Sequence, residues 1–313
     1  MINIRKRRGD FIKTAINKSL IPRNQIAAIS GLTNTYILDL MKGNIANANR
    51  HKLIAFAISV NLSLPEIDEM LTIFDRANLN RDDIPTLLDT AKRSKISTTL
   101  HPLREELSYE FMVLATELLP GPTVLNLNYP TAALRIEGHR TYIEKDLGEG
   151  HSLYSEIREA VGRERKNNLS NHLSRHKIEH FIYHGDLEKY IVDCLDKKEK
   201  EFRIKHVEQV IWYLNKFPNF NIYITNTYHA FSFLLKIGTE SKEKKECILF
   251  TGREYDPAVG KMAGRLAAFG TCNQVIVKNF IMDVEHLKKN ILTNKHDRKK
   301  IILYFKDLIH KGK

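Results

Sequence analysis

At 313 residues with 42% hydrophobic composition, the chain is long enough for two or three domains of about 100–200 residues; it has no run near the roughly 20 apolar residues of a membrane helix. Cys194, Cys247 and Cys272 are scattered, odd in number and without a CxxC spacing, which excludes a disulfide framework or thiolate zinc site; the basic start MINIRKRRGD leads into no signal-peptide core, so a cytoplasmic protein is expected. The net charge of +12 is uneven: residues 1–60 hold ten Lys/Arg against Asp10 and Asp39, a local +8 that fits contact with phosphates.

Arg5-Lys6-Arg7-Arg8 precede a first helix expected over Asp10–Ser19, where Phe11, Ile12, Ala15 and Ile16 keep a helical period. As a basic arm they either follow phosphates or a minor groove, or form a solvated terminus. Arg23 to Gly43, RNQIAAISGLTNTYILDLMKG, reads as two short helices broken at Gly31, where glycine permits a left-handed turn. Leu32 plugs into the core, and Thr33 or Asn34 caps the second helix. Ile37, Leu40 and Met41 form its buried stripe, which leaves Thr33, Asn34, Thr35, Tyr36, Asp39 and Lys42 outward. An asparagine-rich loop follows over Asn44–Asn49, then a helix over Arg50–Val60. Ser63, Pro65 and Glu66 signal a capping box that opens a fifth helix, with Leu64, Ile67, Met70, Leu71 and Phe74 on its apolar side.

This pattern resembles the lambda-repressor-like (xenobiotic-response-element type) helix-turn-helix DNA-binding family over roughly residues 8–76. The matching features are Gln25, Ala27, the turn Gly31, apolar Leu32, the polar start of the third helix, Lys42-Gly43, and the downstream Leu53, Ala55 and Ala57. The resemblance implies that Thr33, Asn34, Thr35 and Asp39 face base edges in the major groove. Arg7, Arg8, Gln25, Lys42, Asn44, Asn47 and Arg50 would contact phosphates and set register. It also implies a homodimer on a two-fold site of double-stranded DNA.

Residues 78–100 read as a linker with one short helix near Pro85–Lys95, ending in the polar SKISTT. A helix is expected over His101–Leu119, with Leu103, Leu107, Phe111, Leu114, Ala115 and Leu118 on one side. That stripe packs either on its own sheet or on a partner's copy, and its size favours the partner. From Thr123 onward, strand-like runs are expected at Thr123–Asn128, His180–His184, Asn221–Thr225, Cys247–Thr251 and Gln274–Asn279. Helices are expected near Ser152–Arg165, Asp186–Lys200, Phe202–Phe217, Pro257–Phe269 and Asp283–His310. Such alternation predicts βαβ units and a mostly parallel sheet. The expected architecture is α plus α/β: a five-helix DNA-binding domain over 1–77, a linker over 78–100, and an α/β sensor or dimerisation domain over 101–313.

Chemistry is sparse. His176-Lys177-Ile178-Glu179-His180 spells H-x-x-E-H, but it runs into a strand-like HFIYHG, where the one-turn spacing a zinc peptidase needs would fail. Gly252 to Gly260-Lys261 is too long for a phosphate loop, and Met262 replaces the required Ser/Thr. No G-x-S-x-G, H-E-x-x-H or phosphodiesterase motif occurs, so no catalytic residue, metal or cofactor is assigned. Strand ends next to helix starts favour ligands, anions above all. Arg253, Glu254 and Tyr255, with His184, Asp186 and Asn226, are therefore the pocket candidates for a small-molecule or peptide effector. Trp212, Tyr213, Phe217 and Phe220 read as core or dimer interface. The expected function is sequence-specific transcriptional regulation, as a repressor or activator. The alternatives are a nucleotide- or nucleic-acid-acting enzyme targeted by the helical domain, or a phage or mobile-element control protein that binds a protein partner.

Overall fold

The computed structural model describes residues 4–96, 101–103, 106–139, 142, 153–229, 231–238, 246–252, 267–292 and 297–313. Five helices come first: α1 (Ile4–Ser19), α2 (Arg23–Ser30), α3 (Asn34–Met41), α4 (Arg50–Ser59) and α5 (Leu64–Ile73). Their limits follow local chemistry. Gly31 ends α2 at φ +70°, and the Thr33 side chain caps α3 by accepting from the Tyr36 N–H at 3.1 Å. Ser63 and Glu66 close a reciprocal capping box on α5. Ile12, Ile26, Ile37, Leu40, Leu53 and Phe56 are fully buried together. Each such side chain contributes about 1.5–3 kcal/mol, enough to fix which face of α3 turns outward.

The same apolar cluster continues beyond α5. It takes in Leu87 and Ala91 of α6 (Ile84–Arg93), Leu107, Phe111 and Leu114 of α7 (Glu106–Glu117), and Ile157 and Val161 of α8 (Tyr154–Leu173). Thus α6 is packed into the helical layer, in contact with α2, α4 and α7. The expected helix from His101 differs at its start, because His101–Leu103 form a short strand, β1. Of its expected stripe, Leu103, Leu107, Phe111 and Leu114 are all buried within the chain, so a partner's copy is not needed to cover them. Leu118 lies past the end of α7 and is exposed.

The remaining elements are β2 (Thr123–Asn126), β3 (Ile178–Tyr183), α9 (His184–Ile191), α10 (Lys197–Lys216), β4 (Phe220–Thr225), β5 (Ser232–Lys236), β6 (Cys247–Gly252), β7 (Ala267–Thr271), α11 (Gln274–Lys289) and α12 (Arg298–Gly312). The strands form one seven-stranded sheet in the order β1-β7-β6-β5-β2-β3-β4. Only β2–β3 and β3–β4 pair in parallel; the other pairs are antiparallel, so the sheet is mixed and not mostly parallel. The reason is connection length. β4 ends at Thr225 and β5 begins at Ser232, too short a span for the dozen or more residues of a parallel crossover. The described part of that connection lies over the carboxyl ends of the parallel strands. Tyr228 meets Tyr183 at 5.9 Å, and the Phe231 carbonyl accepts from Asn126 at 2.9 Å.

One face of the sheet, with Ile178, Ile182, Ile222 and Ile224, packs on Leu187, Val207, Val210 and Phe305 of the helices. The other, with Val124, Phe181, Phe233 and Ile248, packs on Val277, Val284 and Leu287 of α11. Gln274–Asn279 is therefore helical, against the expected strand: Asn273 caps α11, and burial at 277, 284 and 287 outweighs the β-branched run. Ala267–Phe269, expected as the end of a helix, belongs to β7, and the rest of that expected helix lies outside the described residues. Both sheet edges are modified. β1 carries Pro102, and residues 290–292 run along the end of β4 through a Thr225–Ile291 bridge and a Leu292 N–H to Ile224 carbonyl bond of 3.0 Å.

His180 of β3 is fully buried, and neither ring nitrogen reaches hydrogen-bond geometry, although the backbone of Leu125, Phe181 and Tyr129 lies near. Burial holds its pKa at about 4, against an ordinary 6.5. The unfolded chain therefore binds the proton more readily, so this contribution is fully present above pH 6.5 and is lost as pH falls toward 4. The gap corresponds to about 3 kcal/mol. His180→Leu should flatten the fall in stability between those pH values, measured by urea unfolding at a series of pH values. An unchanged acid slope would refute the assignment.

Candidate nucleic-acid interface

The outward side of α3 begins at its N-terminus, where Thr33, Asn34 and Thr35 are exposed. Tyr36 is half-buried beneath the Lys52 ammonium, which lies 4.7 Å from the ring centroid. Asp39 is also partly buried. Its carboxylate accepts from the Asn44 side chain at 3.4 Å and its carbonyl from the Asn44 N–H at 2.9 Å. The Asn44 side-chain oxygen in turn accepts from Arg5. Thr33, Asn34 and Thr35 thus stand clear, while Asp39 and Asn44 are held in a small polar network with Arg5.

The basic residues divide into two groups. Arg5, Lys6 and Arg7 are exposed, as are Lys42, His51 and Lys52. They do not form an arm, because α1 already begins at Ile4 and includes them. Arg8 is different: it is buried and donates to the carbonyls of Ile73 and Ala46, each at 3.0 Å, and to Asp75 at 2.6 Å. Its guanidinium also lies over the Phe74 ring. Arg8 therefore ties α1 to the end of α5 and is not placed for phosphate contact. Arg50 is a second such tie, with bonds to Asp83 at 3.1 and 2.6 Å, to the Asn78 carbonyl at 2.8 Å and to the Ala77 carbonyl. Asp83 is held below the usual carboxylate range: burial opposes ionisation, and the Arg50 guanidinium with the Asn80 N–H outweighs it. Gln25 is half-buried and donates to the Lys95 carbonyl at 3.1 Å, which links α2 to the end of the helical layer. Asn47 is exposed.

Close packing sets the position of α1 beside this face. A Cβ on Gly9 would lie 2.6 Å from the Met41 carbonyl, and one on Gly43, at φ +67°, would lie 2.0 Å from the Arg5 carbonyl. Only hydrogens let the basic first turns of α1 rest directly on the end of α3. From the sequence Lys52 has no role, and Arg5 is marked only as one residue of the basic stretch before the expected first helix. Their periodicity gives no hint of Tyr36 or Asn44, which they meet only through the packing of α4 and α1 on α3.

The effector candidates are more dispersed. His184 and Asp186 lie in the first turn of α9, immediately after β3, and Asn226 follows β4. Burial raises the Asp186 carboxyl pKa. The His184 ring lies 4.8 Å from that of Tyr183, while the Asn226 N–H donates to the Asn290 carbonyl at 3.3 Å. Arg253, Glu254 and Tyr255 lie outside the described residues. The H-x-x-E-H residues do not converge: His180 shares the face of Ile178 and Ile182, whereas Glu179 alternates to the other side and binds Lys177 at 2.7 Å. Among the described residues no group of histidine, cysteine and carboxylate is arranged to hold a metal, and no helix is long and apolar enough to cross a membrane. Trp212 is exposed beneath the Lys216 ammonium, while its neighbour Tyr213 is buried.

Searches of known protein families, of characterised proteins and of solved structures find no match to this chain.

Proposed function

We propose that this protein is a sequence-specific DNA-binding transcriptional regulator that places α3 in the major groove of double-stranded DNA. The observation that carries the reading is the exposed Thr33-Asn34-Thr35 start of α3, with Lys52 over Tyr36 in its first turn and Lys42 and Arg5 at its other end, in a region of local charge +8. A short polar helix start of this kind reaches base edges, while the surrounding cations and Asn47 meet phosphates. Asn34 makes a bidentate contact to adenine, and Thr35 meets a thymine methyl. The protein binds as a homodimer on a two-fold operator, because a single α3 offers too small a contact surface for a specific site. Its activity as a repressor or activator is set through the sheet layer by a small-molecule or peptide effector.

Selection of bound sites from a random DNA pool tests the reading directly. One enriched motif is expected, and binding without enrichment would remove sequence specificity. Asn34→Ala should lose about 1–3 kcal/mol of discrimination at one or two base positions with nonspecific binding nearly intact. Lys42→Ala should instead weaken all sequences alike and reduce the salt dependence by about one phosphate contact. An Asn34→Ala protein that keeps both its preferred sequence and its affinity would place the reading element elsewhere.

A further inference from the structure

We propose that Arg135 is the anchor of a second ligand site, which binds the oxyanion of a small molecule, either a carboxylate or a phosphate group. Arg135 follows β2 in a segment that leaves the carboxyl end of the parallel strands. Ala133 and Leu134 are buried and fix that segment to the core. The Arg135 guanidinium lies 5.0 Å from the Tyr129 ring centroid, Tyr129 stacks on Tyr190 at 5.7 Å, and Arg203 lies 4.8 Å from the Tyr190 centroid on its own account. The wall behind this stack is rigid, because the Tyr190 hydroxyl is bonded to His206 at 2.8 Å and His206 to the Thr131 carbonyl at 3.0 Å.

The two arginines of the stack differ in what they meet. Arg203 donates to the Tyr190 carbonyl at 2.9 Å and to Glu199. Arg135 has a buried Nε without an acceptor, and its guanidinium makes no ion pair among the described residues. Elsewhere Arg8, Arg165 and Arg298 direct their donors to carbonyls or carboxylates. A guanidinium donor removed from water without an acceptor is costly, and its planar fork matches an oxyanion two bonds at a time. His180 provides the second observation: its ring is fully buried with neither nitrogen in hydrogen-bond geometry, and the backbone of the same Tyr129 lies beside it, with that of Leu125 and Phe181. An arginine Nε without an acceptor and a buried imidazole outside hydrogen-bond geometry therefore flank one segment, at the end of a parallel strand set where α/β sheets bind ligands. Neither depends on the DNA-binding reading.

The test uses the full chain without DNA. Inorganic phosphate and acetate are titrated separately at constant ionic strength, with thermal unfolding and the arginine Nε–Hε signals in ¹H–¹⁵N spectra as readouts. One anion should raise the unfolding temperature beyond the chloride-matched control and shift one Nε–Hε signal. A response to phosphate identifies a phosphate-bearing ligand class, and a response to acetate a carboxylate. The shifted signal should be missing in Arg135→Lys, which keeps the charge but should bind the anion about tenfold or more weakly. Arg163→Gln, an exposed arginine on α8, should respond like the natural protein. No shift with either anion, or an equal thermal response in Arg135→Lys, would overturn the proposal. If that variant does not fold, the spectra of the natural protein alone decide between these outcomes.

Discussion

Gly43→Ala should destabilise the protein by about 3–5 kcal/mol, whereas Gly31→Ala should cost only about 1–2 kcal/mol. The two glycines have nearly the same backbone conformation, at φ +67° and +70°. A left-handed alanine is unfavourable at either. At Gly31 the only neighbour near an added Cβ is the end of the Arg93 side chain at 4.0 Å, which leaves the backbone penalty alone. At Gly43 the Cβ would stand 2.0 Å from the Arg5 carbonyl, an atom of α1's own backbone that can retreat only if α1 lifts from α3. Urea unfolding of the two variants side by side gives the difference, and equal losses would mean that α1 slides freely. In the DNA reading, Gly43→Ala also moves Arg5, Lys6 and Arg7 relative to α3, so its binding loss should exceed that of Gly31→Ala.

Glu110→Ala should cost about 3–5 kcal/mol by a different route. Glu110 of α7 is buried and accepts from Arg158 at 3.2 Å and from Arg165 at 2.9 Å, both on α8 and both themselves buried. Arg165 continues to Glu117 through bonds of 2.9 and 2.8 Å. Its guanidinium is buried, and the adjoining Glu117 and Glu110 charges more than offset that burial by holding the proton on. Removing Glu110 leaves two desolvated cations against one carboxylate in the seam between α7 and α8. The midpoint of urea unfolding should fall with little change in slope. A loss below about 1 kcal/mol would mean that water enters the seam and screens the arginines.

The helical part of this chain was legible because its signals are local. Gly31, Thr33, the Ser63–Glu66 box and the Ile37–Leu40 stripe each act within a few residues, and each has the expected place. Side-chain roles among the basic residues were not legible. Arg7 and Arg8 are adjacent in sequence, yet one is exposed and the other reaches Asp75 and Ile73, more than sixty residues away. Arg50 likewise meets Asp83 across a turn whose course no periodicity fixes. The sheet was harder still. Ser232–Lys236 carries too few residues to show a period of two, and its antiparallel place beside β2 depends on a short connection over the ends of other strands. Gln274–Asn279 reads as a strand by composition and is helical with Val277, Val284 and Leu287 packed on the sheet. Arg135 has no motif at all; its unmatched donor exists only once Tyr129 and Tyr190 are stacked.

The treatment of the two sheet edges bears on how copies of this protein can meet. An open strand invites another chain to pair with it, which is a common route to runaway assembly. At one border the outermost strand is three residues long and contains Pro102, which has no N–H to offer. At the other, residues 290–292 already take up the end of β4. Neither border presents a full row of donors and acceptors to a neighbour. Any self-association in this protein should therefore proceed through surfaces other than the strand edges, and not by strand addition into an open-ended series.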